Sequence, residues 1–86
     1  MKSLISLIVI LTSLNALAKV DCTTENKDKW KNQEAFKKEL ETTYKIKVFK
    51  VTEGNCYEIY GWNKEGKKVE IYFNPVTGEK VKERVQ

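Results

Sequence analysis

The 86-residue chain has no histidine, one proline, two cysteines and, at Arg84, a single arginine. Without histidine, the usual base for a serine or cysteine nucleophile is missing, and so is the commonest metal ligand. No apolar run approaches the roughly 20 residues needed to span a bilayer. So short a chain holds one small domain at most, which argues against a large catalytic cleft. A lone arginine and basic residues interleaved with acidic ones also argue against a nucleic-acid partner.

What is present is unevenly distributed. The first 18 residues carry 12 of the 35 apolar residues and one charge, Lys2. Met1-Lys2-Ser3 is a short positive start, Leu4 to Leu14 has the length of a signal h-region, and Ala16-Leu17-Ala18 is a cleavage site of the A-x-A kind. Residues 1–18 are therefore expected to be a cleaved secretory signal, the other reading being an uncleaved anchor. Lys19-Val20-Asp21 before Cys22 does not resemble a lipobox. The product is expected in the periplasm or secreted, with no stable membrane insertion once the signal is removed.

Residues 19–86 carry 15 basic side chains, 12 acidic ones and nine aromatics. A domain below roughly 70–80 residues usually needs a staple. Cys22 and Cys56 supply one most simply as a disulfide, because an exported chain meets an oxidising compartment. Closing that loop is worth roughly 3–4 kcal/mol. A redox or metal pair is the rival reading, but it lacks a C-x-x-C spacing and any histidine.

Residues 19–29 are polar and read as an arm tethered by Cys22, with the domain proper over 30–86. Phe36, Leu40 and Tyr44 recur every fourth residue, which predicts a helix over Gln33 to Glu41 with Asn32 as N-cap and Glu34 in the first turn. The period then changes to two. Ile46 and Val48 fall on one side and Phe49 and Val51 on the other, a phase slip that predicts a bulge near Val48.

Glu53-Gly54-Asn55 is a turn signal. Strands are expected over Cys56–Trp62 and Lys67–Phe73, with Lys64-Glu65-Gly66 as a three-residue loop between them. If one side is buried, Tyr57, Ile59 and Gly61 face Phe73, Ile71 and Val69 respectively. After Asn74-Pro75-Val76-Thr77-Gly78, Lys80 to Val85 reads as a charged edge strand. The expected fold is α+β, with one N-terminal helix on one face of a three- to four-stranded antiparallel sheet, in the order α-β-β-β-β.

The same parity puts Glu58, Tyr60 and Trp62 beside Lys68, Glu70 and Tyr72 on the face away from the helix. Tyr60, Trp62, Tyr72, Glu58 and Glu70 are the candidate binding residues, since exposed Tyr and Trp offer large contact area at low entropic cost. Two readings of this face stay open: a bare interaction surface, or ordinary packing beneath the arm and Trp30. Glu58 and Glu70 could in principle act as the acid and base of a glycosidase. Lys50 and Lys68 can neutralise them, however, and no deep cleft is expected. No enzyme, metal or cofactor is assigned.

Trp30 before the helix, Tyr44-Lys45-Ile46-Lys47-Val48, Cys56-Tyr57-Glu58-Ile59, Glu65-Gly66, Val69-Glu70-Ile71-Tyr72 and Asn74-Pro75-Val76-Thr77-Gly78-Glu79 together resemble the small exported PepSY-domain proteins, the peptidase-propeptide family. The resemblance runs from about Cys22 to Val81. Two positions depart from it: Thr43 stands where the family usually has Gly, and Asn74 where it often has Asp. The resemblance implies an α+β domain without catalytic residues, found in propeptides of secreted metallopeptidases and in envelope proteins that regulate wall hydrolases.

The expected function is accordingly a noncatalytic exported binding module, an inhibitor or modulator of a peptidase or other envelope protein. The alternative is a cationic protein that binds anionic envelope polymers or lipid headgroups by electrostatics.

Overall fold

Asn32 opens the only α-helix among residues 19–86, the part of the chain that the computed structural model describes; the signal segment expected over 1–18 lies outside it. The Asn32 side chain accepts the Ala35 N–H at 3.0 Å, satisfying one of the free donors at the helix start. Helix α1 spans Gln33–Leu40 and ends where the Thr43 and Tyr44 N–H groups both turn back to the Leu40 carbonyl. Eight residues are too few to hold a helix in water. Its stability comes from Phe36, which packs on Tyr57 and Phe73 at ring separations of 5.7 and 5.4 Å.

Four antiparallel strands follow in sequential order: β1 (Lys45–Val51), β2 (Tyr57–Trp62), β3 (Lys68–Phe73) and β4 (Lys80–Val85). The β2–β3 register is the expected one, with Tyr57 opposite Phe73, Ile59 opposite Ile71 and Gly61 opposite Val69. Gly66 closes the intervening loop at φ 79°, a left-handed conformation that glycine adopts without a Cβ penalty.

The β1 irregularity falls between Ile46 and Val48, as the phase slip predicted. Its sense needs correcting. Ile46 does not side with Val48; it joins Phe49 and Val51 against the core, while Val48 is 40% exposed on the opposite face. The bulge at Lys47 allows one strand to bury three apolar residues of mixed parity. The core itself is Phe36, Tyr44, Tyr57, Ile59, Val69, Ile71 and Phe73, with Trp30 and Leu40 packed against it.

Cys22 and Cys56 form a disulfide. Around it the arm crosses one end of the sheet. The Cys22 N–H donates to the Gly54 carbonyl at 2.9 Å, Asn55 Nδ2 donates to the Thr23 carbonyl at 3.3 Å, and Asn74 Nδ2 donates to the Cys22 carbonyl at 3.1 Å. The approach is close enough that a Cβ on Gly54 would lie 1.8 Å from the Val20 carbonyl oxygen.

The arm then makes a 3-10 turn at Lys27–Lys29 and delivers Trp30 edge-on to Tyr57, with ring centroids 5.6 Å apart. The Lys31 N–H donates to the Pro75 carbonyl, and the Tyr57 hydroxyl donates to the Lys31 carbonyl. Trp30 therefore belongs to the helix side of the sheet. The arm is divided between the two faces: Trp30 lies on the helix side, whereas Lys19 and Val20 reach the opposite face beside Glu58 and Tyr72. Among the described residues, the arm thus covers one end of that face and leaves Tyr60 exposed.

Candidate binding face

Strand pairing arranges the outer face as three rows of residues: Lys50, Glu58, Tyr72 and Lys82; then Val48, Tyr60, Glu70 and Arg84; then Lys45, Trp62 and Lys68. In the first two rows an aromatic on one central strand stands opposite a carboxyl on the other, and cations stand on both edge strands. All five sequence-derived candidates, Glu58, Tyr60, Trp62, Glu70 and Tyr72, come together here. Tyr60 is 38% exposed, and Trp62 and Tyr72 are half-buried.

Glu58 is the exception, being only 2% exposed although it sits on the outer face. Its Oε1 lies 3.8 Å from Lys50 Nζ, and its Oε2 finds no donor. Burial, and then the neighbouring Glu70 carboxyl, raise the Glu58 pKa above the ordinary glutamate value; Lys50 and the two tyrosine hydroxyls only partly oppose this.

Burial also raises the pKa of Glu70. That effect is outweighed by the neighbouring Glu58 carboxyl, the Tyr60 and Tyr72 hydroxyls and the Arg84 guanidinium, which together lower the Glu70 pKa below the ordinary glutamate value. It accepts the Tyr72 hydroxyl at 3.1 Å and lies 3.8 Å from Arg84 Nε.

The phenols respond in kind. Hydrogen bonding to Glu58 raises the Tyr60 pKa, with burial and Glu70 adding to the shift. Burial and the charge of Glu58 push Tyr72 up to about 12. The rings carry cations as well, with Lys50 Nζ 5.6 Å from the Tyr60 centroid and Lys45 Nζ 5.7 Å from that of Trp62. This arrangement does not suit glycoside hydrolysis. One carboxyl of the pair is sealed from solvent, and both are engaged by neighbouring phenols and cations.

Two hollows flank Tyr60 and share it with Arg84. One, of about 240 Å³, lies among Trp62, Glu70, Lys47 and Lys68. The other lies among Glu58, Tyr72, Lys50, Lys82 and the arm residue Lys19. The contribution of β4 went unnoticed in the sequence, although pairing Val69 with Val85 carries Arg84 to Glu70 and Lys82 to Tyr72.

A comparison with protein families matches residues 3–84 to the family described as peptidase propeptide and YPEB domain. The chain belongs to the PepSY family. This is a family of propeptide- and inhibitor-like modules that are generally noncatalytic. No curated protein and no solved structure matches the chain.

The two departures from the PepSY pattern now have local accounts. Thr43 takes the usual glycine position without a positive φ, because Asn55 is the only non-glycine residue with one among the described residues. Asn74 uses both ends of its amide. Its Oδ1 accepts the Val76 and Thr77 N–H groups at 2.8 and 3.3 Å, while its Nδ2 donates to the arm at Cys22. An aspartate could make the first two bonds but not the third.

Proposed function

We propose that this PepSY domain is a noncatalytic exported module that docks on an exported peptidase, or another envelope protein, and restrains or modulates it through the outer sheet face. The observation that carries this reading is the one-sided packing of the sheet: α1 and Trp30 cover one face, and Tyr60, Trp62 and Tyr72 remain on the other. Family membership supports a peptidase as the partner class. The disulfide supports an oxidising compartment, hence the periplasm or the exterior.

A second reading, electrostatic binding of anionic envelope polymers or lipid headgroups, draws support from the cations on the same face. The two differ in salt dependence, because exposed charges are screened over roughly 8–10 Å near physiological ionic strength. The oxidised, exported protein is immobilised and used to capture envelope extract at low and high salt, beside a Tyr60→Ala, Trp62→Ala, Tyr72→Ala variant. A peptidase retained at high salt by the parent alone is the expected result. Material released by salt equally from both proteins would favour the second reading.

A further inference from the structure

The charges on the outer face do not balance. Six cations, Lys19, Lys47, Lys50, Lys68, Lys82 and Arg84, rim the two hollows beside Tyr60. Lys19 pairs with Asp21, Lys50 with Glu58 and Arg84 with Glu70. Lys47, Lys68 and Lys82 have no acidic partner among the described residues, and all three are exposed. The carboxyls nearby do not serve them: Glu58 is sealed, Glu70 is already held by Tyr72 and Arg84, and Glu53, which also lines the second hollow, forms no ion pair with any of the six, so the rim keeps an excess of cations.

We infer that the two hollows flanking Tyr60 form a site for an extended acidic peptide segment, whose carboxylates meet Lys47 and Lys68 on one side and Lys82 on the other while its chain lies over the Tyr60 and Trp62 rings. The site rests on the reading of this face as a docking surface and adds the chemistry of the occupant. An extended peptide suits the shape because its side chains alternate about every 3.3 Å, so acids on one side of it can enter separate hollows across a central ridge. The rings supply the non-ionic part of the contact, consistent with the low-entropy contact area of Tyr and Trp. A flat lipid surface would fit less well, since the cations line concavities and Trp62 is half-buried.

The test measures fluorescence anisotropy of a labelled heptapeptide, Glu-Glu-Glu-Leu-Glu-Glu-Glu, on the full exported protein at about 0.15 M salt, where unspecific surface attraction is screened beyond roughly 8 Å. The matched Gln peptide and an oligogalacturonate of equal charge are run beside it. Lys47→Gln with Lys68→Gln and Lys82→Gln removes three charges from the site and leaves the carboxyl network intact. Lys29→Gln with Lys37→Gln and Lys38→Gln removes three from the arm and α1.

The Glu peptide is expected to bind and the Gln peptide to fail. The first triple variant should weaken binding about tenfold, as three weak ion pairs would, and the second less than about twofold. Equal losses in both triples, no binding of the Glu peptide, or equally tight oligogalacturonate would overturn the assignment. If the first triple melts early, Trp62→Ala serves instead, and unchanged affinity there also overturns it. Peptidase capture that depends on Tyr60 and Trp62, without Glu-peptide binding, would leave the docking face standing and remove only its acidic occupant.

Discussion

The two faces of the sheet are built from the same strands and are similarly rich in aromatics, yet they use them differently. On the helix side, Tyr57 and Phe73 meet Phe36, and β2 and β3 present no Asp, Glu, Lys or Arg there. On the outer side, Tyr60, Trp62 and Tyr72 are separated by Glu58 and Glu70 and approached by lysines. Aromatic rings that touch each other exclude water and hold a fold together. Rings set among charges stay partly wet and remain available to another molecule.

The sharpest way to break this comparison is truncation on each side. Tyr57→Ala removes a ring that touches Trp30, Phe36 and Phe49. It should cost about 3–5 kcal/mol in urea unfolding. Tyr60→Ala on the outer face should cost less than about 1 kcal/mol. Equal losses would make the outer face part of the core.

Next in size is the staple. Cys22→Ser with Cys56→Ser should lower stability by about 3–4 kcal/mol through the larger entropy of the unfolded chain. Because the arm's far end is Trp30, its fluorescence should shift toward that of exposed tryptophan before Trp62 changes. A simultaneous shift, read from single-Trp variants, would show that the disulfide supports both faces alike.

Asn74→Asp should cost about 1–2 kcal/mol, since it trades the Nδ2 donor for an oxygen facing the Cys22 carbonyl. Thermal melts of this variant and of Asn74→Ala will separate loss of the arm bond from repulsion; repulsion predicts that Asp is the worse of the two.

The smallest effect is a pH slope. Glu58 is faced by Lys50 on β1, Tyr60 on β2, Glu70 and Tyr72 on β3, and Lys82 and Arg84 on β4, with Lys19 at the rim. Its pKa is raised on folding, so the native state holds the proton more tightly than the unfolded chain. Glu58 therefore adds stability below the ordinary glutamate range, and this is lost as pH rises through its native value. Glu70, whose pKa is lowered, acts in the opposite sense and loses its contribution as pH falls. Glu58→Gln should flatten the decline on the alkaline side and make the domain relatively more stable at pH 7 than at pH 5. An unchanged slope in urea titrations across that range would remove Glu58 as its source.

Much of this was open to a reader of the sequence, because it depends on near neighbours and on strand parity. The Asn32 cap, the four-residue spacing of Phe36, Leu40 and Tyr44, the Gly66 turn and the β2–β3 register are all set by residues a few positions apart or by one alternating pattern. That pattern also located the outer face and its five candidates. The course of the arm was not open in this way, because it depends on contacts such as Asn74 to Cys22 and Trp30 to Tyr57 that join distant parts of the chain.

By itself, then, the order of residues determined the helix, the β2–β3 hairpin, the alternation that puts aromatics on both faces, and a pair of cysteines able to close one loop. Only the tertiary structure decided that Trp30 goes inside, that Ile46 crosses to the core side, that β4 brings Arg84 and Lys82 to the outer face, and that Glu58 is buried while Tyr60 is not. The reason is physical. Periodicity states which side chains share a face, whereas burial and charge pairing depend on what the remainder of the chain places over or beside that face.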